Sequence, residues 1–153
     1  MSPKTPVSAW WKAQELLALR AHGRQELINK LKLRDYTATE IDVVITRLIE
    51  KKYLNDEAFA RDLTAELFFR RGYGFYAILA RLYRKHLDAE LSDKVVENFF
   101  SEISEEELSA QIIKLIRRRR DREKDRNRLF VWLQRRGFRT SEIVRALQDY
   151  EIE

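Results

Sequence analysis

One pattern returns three times in this chain at a fixed interval. Leu31, Tyr36 and Ile41 are answered by Leu82, Leu87 and Leu91 and again by Leu133, Phe138 and Ile143, so that the middle residues stand 51 positions apart. A short helical unit cannot bury its apolar face alone, whereas tandem copies bury theirs together. A chain built this way presents an extended surface to a partner more readily than it closes around a catalytic pocket.

The rest of the pattern is helical. There are only four glycines and two prolines, both prolines before residue 7, and apolar residues recur at helical spacing, as in Ile41, Val44, Ile45 and Leu48 or Leu108, Ile112, Leu115 and Ile116. No long segment alternates as a strand would. The expected fold is all-α: nine helices in three tandem three-helix repeats, forming an elongated, curved array. Its expected divisions are a flexible N-terminal tail at 1–9, repeats at 10–54 and 55–102, and a third, basic repeat at 103–153. Thr37 with Glu40 and Ser104 with Glu107 fit helix-capping boxes, and Asp88 can cap the helix one repeat after Thr37. Arg139 occupies the same place in the third repeat without a capping oxygen, so Thr140 or Ser141 is expected to take that role. Gly23, Gly72, Gly74 and Gly137 fall at breaks. Of Trp10 and Trp11, adjacent on a helix, one is expected in the core and the other at an edge. The aromatic residues from Phe68 to Tyr76 either pack in the seams between repeats or are partly exposed for a partner.

Chemistry is poorly supplied. The 153 residues include no cysteine, which removes disulfides, thiol catalysis and every cysteine-based metal site. His22 and His86 lie far apart beside helix ends, without metal-binding spacing, and are read as surface or capping residues. No acid and base pair stands out, and Gly72-Tyr73-Gly74 lacks the strand and lysine of a phosphate loop. The chain is therefore not expected to be an enzyme, and no catalytic residue, cofactor or metal is assigned. No run of 18 or more apolar residues is present, and Trp10, Trp11, Lys12 and Glu15 follow the first residues too closely for a signal sequence. The expectation is a soluble, cytoplasmic monomer with no membrane contact.

Charge is unevenly placed. The net +5 is modest, yet Lys114 to Arg136 holds eleven basic residues against Asp121, Glu123 and Asp125, while Glu90 to Glu107 holds seven acidic residues and one lysine. Such polarity favours a polyanionic or patchily charged partner. Arg117, Arg118, Arg119 and Arg120 would fan around slightly more than one helical turn, and Lys124, Arg128 and Arg135 would line one side of the next helix. Arg70, Arg71, Arg81, Arg84 and Lys85 could extend the field. Three destinations stay open for these groups: nucleic-acid phosphate, an acidic protein surface, or solvent. Base-specific readout finds support only in Arg139 and Arg145.

From Ala13 to Tyr150 the chain resembles the RecX regulators of the bacterial RecA recombinase. The resemblance rests on the order of several motifs: Ala13-Gln14-Glu15-Leu16-Leu17, then Glu26-Leu27 and Lys30-Leu31, then Tyr53-Leu54-Asn55-Asp56 with Phe59-Ala60, then Arg71-Gly72-Tyr73-Gly74, and finally Leu133-Gln134-Arg135-Arg136-Gly137-Phe138. Lys52 stands where that family usually has glycine. Phe75 and Tyr76 replace a proline and a basic residue, so no charge contact is carried over to them. The resemblance implies a protein that binds the RecA filament on single-stranded DNA and restrains ATP hydrolysis, strand exchange and co-protease activity, within homologous recombination, DNA repair and the SOS response. Arg70, Arg71, Arg84, Arg118, Arg119, Arg135 and Arg136 are the groove candidates by charge and motif position, with Arg117, Arg120, Lys124 and Arg128 beside them. The alternative is a free-standing basic helical protein that grips DNA phosphates, single-stranded or duplex, without a recombinase.

Overall fold

The computed structural model describes residues 7–119 and 121–152. Among them run nine helices: α1 (Ala9–Leu19), α2 (Arg24–Leu33), α3 (Ala38–Glu50), α4 (Asp56–Phe69), α5 (Phe75–Arg84), α6 (Ala89–Ser101), α7 (Glu105–Arg118), α8 (Arg126–Arg135) and α9 (Thr140–Ile152). The second helices of the repeats, α2, α5 and α8, begin 51 residues apart, and so do the third helices, α3, α6 and α9. First helices do not keep this phase. The repeat is thus a fixed helical hairpin preceded by a helix of variable position.

The recurring triplet has a local cause. Tyr36 N–H donates to the Leu31 carbonyl at 3.3 Å and Asp35 N–H to that of Lys32 at 3.0 Å; in the third repeat Phe138 N–H donates to Leu133 and Gly137 N–H to Gln134 in the same way. These are Schellman closures, in which the residue after the helix turns left-handed and the next apolar side chain folds back onto the last turn. The left-handed residues are Asp35, His86 and Gly137, again in phase, with φ of 65°, 59° and 98°. Leu31, Leu82 and Leu133 are fully buried beneath them.

A fourth closure ends α3, where Tyr53 N–H reaches the Leu48 carbonyl at 2.9 Å and Lys52 is left-handed at φ 61°. This position is the one that glycine usually fills in the resembled signature, and the backbone gives the reason. Lysine there carries a Cβ penalty of about 1–2 kcal/mol, offset in part by the entropy glycine would lose. Lys52→Gly should therefore stabilise the chain by about 0.5–1 kcal/mol, read as a raised midpoint in chemical denaturation.

Thr37, Asp88 and Ser104 accept from the amides of Glu40, Leu91 and Glu107, as their spacing predicts. The third repeat differs from expectation. Helix α9 starts at Thr140 itself, and the Glu142 carboxylate accepts from Arg139 N–H at 2.7 Å, so the carboxylate half of a capping box works without a hydroxyl partner. Of the expected tail 1–9, residues 1–6 lie outside the described residues. Val7 and Ser8 are tied down, through the Tyr36 hydroxyl on the Val7 carbonyl at 2.7 Å and through the Ser8 cap on Trp11 N–H, and Ala9 already opens α1.

The chain forms two compact units, one comprising residues 1–60 and 85–87, the other 61–84 and 88–153. In the first, α1 packs on α2 and α3 around Ala13, Leu16, Leu27, Leu31, Ile41, Val44, Ile45 and Leu48. Trp10 rests against this core with the Arg47 guanidinium 4.0 Å above it, and Trp11 is exposed. His22, expected in a surface or capping role, is buried: Nδ1 bonds to the Arg20 carbonyl at 2.9 Å, and Nε2 lies 2.7 Å from the Lys30 ammonium, which makes that nitrogen the acceptor. Burial lowers its pKa from the ordinary histidine value. Nearby, Glu26 takes a two-pronged bond from Arg20 and a further one from Lys85. Burial pushes the Glu26 carboxyl up, but these cations outweigh it and hold the pKa at about 2. Lys85 is thereby committed to a carboxylate and does not extend the basic field. In the second unit α5 packs on α6, α7 on α9 and α8 on α9.

Candidate nucleic-acid interface

The second unit contains a close meeting of two turns. The α4–α5 turn lies against the α8–α9 turn, with Gly74 N–H donating to the Arg136 carbonyl at 2.8 Å and Tyr76 N–H to that of Gly137 at 3.0 Å. Glycine is required at both contacts. A Cβ on Gly74 would stand 2.5 Å from the Phe138 nitrogen, and one on Gly137 would stand 2.4 Å from the Ala77 nitrogen.

Arg136 locks this junction. Its Nε donates to the Gly72 carbonyl at 2.9 Å and its Nη2 to the Arg71 carbonyl, while its guanidinium lies 4.7 Å from the Tyr73 ring centre and 5.6 Å from that of Trp132. Arg81 covers Tyr73 at 3.7 Å, and Arg119 covers Trp132 at 4.5 Å. Guanidinium and ring therefore alternate from Arg81 through Tyr73, Arg136 and Trp132 to Arg119. Burial lowers the Arg136 pKa, with the Arg81 charge acting in the same direction and Tyr73 opposing it. Arg119 is also paired with Asp121, whose pKa falls because of that bond.

The sequence candidates divide into two kinds. Arg71, Arg84, Arg118, Lys124 and Arg135 are exposed and pair with no carboxylate among the described residues. Arg70 is exposed with a long 3.9 Å contact to Glu66, and Arg128 reaches Glu123 at 3.5 Å. Arg117 is exposed at the end of α7 and has a partner of its own. Arg120 lies outside the described residues. Arg119 and Arg136 are committed inside the row.

The local expectations about this segment need correction. Helix α7 ends at Arg118 and Arg119 is extended, at φ −67° and ψ 130°, so the helix does not continue through Arg119. Lys124 precedes α8, which opens at Arg126 under an Asp125 cap. Only Arg128 and Arg135 share a face of that helix, seven residues apart. Neither Arg139 nor Arg145 is free to read bases: Arg139 covers the Phe75 ring at 3.8 Å, and Arg145 is bound by Glu105, Glu106 and Asp149. Arg145 also neutralises part of the acidic stretch that precedes the basic segment.

Sequence reasoning treated Arg135 and Arg136 as equals, yet a signal separated them. Arg136 follows Leu129 by seven residues and Leu133 by three, on the inward face; Arg135 is rotated away from both. Tyr73 and Trp132 are not marked as supports in the sequence because the arginine that joins them, Arg136, reaches Tyr73 only through the tertiary fold.

Among the described residues no cluster of His, Cys, Asp or Glu is suited to hold a metal, and no helix is long and apolar enough to cross a membrane. The molecule is an all-helical protein of tandem three-helix repeats that offers a braced basic surface. Residues 9–48 match the family model described as RecX, first three-helix domain. The regulatory protein RecX of Chlorobaculum tepidum is 34% identical over 128 residues, covering 82% of this chain and 78% of that protein, and the RecX of Pelodictyon phaeoclathratiforme is 34% identical over 143 residues, covering 89% and 84%. The crystal structure of RecX from Lactobacillus salivarius has the same fold, with a TM-score of 0.82 over 95% of this chain and 96% of that one at 18% identity. The chain belongs to the RecX family of regulatory proteins.

Proposed function

We propose that this protein binds the RecA filament on single-stranded DNA and restrains its ATP hydrolysis, strand exchange and co-protease activity. Family membership supports RecA as the partner. The observation that carries the reading is the set of exposed arginines without carboxylate partners among the described residues, Arg71, Arg84, Arg118 and Arg135, of which Arg71 and Arg135 adjoin in sequence the junction that ties the α4–α5 turn to the α8–α9 turn. Unpaired guanidiniums can meet phosphate or carboxylate without first giving up an internal ion pair, and several modest contacts on one repeated partner act together. The mode of action is a steric and electrostatic clamp in which no bond is made or broken. The divisions 10–54, 55–102 and 103–153 are proposed as the repeats that engage it.

The test is ATP hydrolysis by preformed filaments given substoichiometric protein. The parent should inhibit, and Arg118→Ala with Arg135→Ala should lose about tenfold or more in potency while unfolding like the parent. Unchanged hydrolysis despite measurable DNA binding would instead favour a free-standing module that grips phosphates alone, whose affinity would fall steeply with salt.

A further inference from the structure

Six aromatic rings of the second unit form one connected cluster. Phe68 meets Phe69, Phe99 and Phe100 with centroids 4.9, 5.5 and 5.5 Å apart, Phe100 meets Phe75 at 5.6 Å, and Phe75 meets Tyr76 at 5.4 Å, all edge to face. Phe68, Phe75 and Phe100 are buried and account for the core. The rings at the two ends are not buried: Phe69 is 54% exposed and Tyr76 61%. A core needs neither of them open.

Each open ring is held and flanked by positive charge. Phe69 is braced by Phe68 and by Phe99, at 6.0 Å, and is followed directly by Arg70 and Arg71. The Arg70 side chain is 81% exposed, and Arg71 is exposed too while its carbonyl accepts from Arg136. Tyr76 is anchored through its amide on Gly137, and the Arg139 guanidinium lies on its neighbour Phe75. Braced aromatic faces beside exposed guanidiniums match a ligand that carries flat rings and anionic linkers together.

We propose that Phe69 and Tyr76 are stacking platforms for the bases of single-stranded nucleic acid, with Arg70 and Arg71 taking the adjoining phosphates. Duplex DNA would supply the phosphates but keep its base faces stacked inside, and an acidic protein segment would satisfy the arginines without a flat ring for either platform. Stacking on a phenyl or phenol ring has no hydrogen-bond code, so the contact tolerates any sequence. The inference rests on the filament reading only in naming single-stranded DNA as part of that partner; the binding is a property of the free protein.

The experiment uses the full chain without recombinase and measures fluorescence anisotropy with an oligothymidylate of about 15 nucleotides and with an abasic strand of equal length and charge. The parent should bind the base-bearing strand more tightly, and Phe69→Leu or Tyr76→Leu should weaken that binding about 5- to 30-fold each while leaving abasic binding unchanged. Leucine keeps apolar contact with the cluster, and thermal unfolding checks that the fold survives. Equal affinity of the parent for both strands overturns the proposal. So does a leucine variant that keeps its base preference yet loses inhibition of filament hydrolysis, which would assign the rings to a protein contact and leave the filament reading intact. Loss of base preference with hydrolysis still inhibited supports the platforms and separates them from the clamp.

Discussion

Replacing Arg136 by alanine should lower the stability of the second unit by about 2–4 kcal/mol, whereas Arg135→Ala should change it by less than about 0.5 kcal/mol. The two residues are adjacent and chemically identical, so the contrast isolates position. Arg136 donates to the carbonyls of Gly72 and Arg71 and lies against Tyr73 and Trp132. A charge-assisted hydrogen bond contributes about 1.5–3 kcal/mol and a partly desolvated cation–ring contact about 1 kcal/mol, and the contributions overlap because one side chain makes them all. Arg136→Lys should recover only part of the loss, since a point charge cannot reach two carbonyls as a planar fork does. Arg135 is exposed and unpaired, so its removal should appear in binding, as a shallower salt dependence by about one phosphate contact. Equal denaturation midpoints for Arg135→Ala and Arg136→Ala would refute the division of roles.

Gly137→Ala should be more damaging still, removing more than about 3 kcal/mol and, in a chain of ordinary stability, leaving the second unit partly unfolded at 37 °C. Two causes add. Residue 137 sits at φ +98°, which L side chains rarely adopt, and the new methyl would lie 2.4 Å from the Ala77 nitrogen and 2.6 Å from its Cβ. Relief requires the two turns to separate, which breaks the bonds from Gly74 N–H and Tyr76 N–H. Gly23→Ala is the control. Its nearest obstacle is Leu87 Cδ2 at 3.2 Å, the end of a flexible side chain, so the effect should be small. Circular dichroism melts of the two variants suffice; a Gly137→Ala protein that melts like the parent would mean that the turns do not bear on one another in solution.

The helical order was legible because helix closure is local. Leu31 and Tyr36, like Leu133 and Phe138, are the two ends of one capping motif, and local chemistry repeated in sequence repeats in structure. The same locality made Thr37, Asp88 and Ser104 readable as caps. Where the sequence misled, a distant partner decided the outcome. Lys85 lay in a basic run but belongs to Glu26, 59 residues earlier, and Arg145 lay on a helix that invited base readout but is held by Glu105, 40 residues earlier. His22 is the same case at shorter range, buried with its ring held between the Arg20 carbonyl and Lys30. Charge counts along a chain record how much basic surface is available, and only tertiary contacts say how much of it is already spoken for.

The glycine junction also carries a kinetic meaning. Each helical hairpin closes through contacts a few residues apart, whereas Arg136 must find carbonyls 64 and 65 residues upstream. Closing so long a loop is entropically costly until the elements on both sides exist, which makes the junction a late event in folding. An interaction absent from the transition state governs how fast the native state is left. The lifetime of the assembled second unit, and with it the time its basic surface stays in register, is therefore governed by one arginine and two glycines.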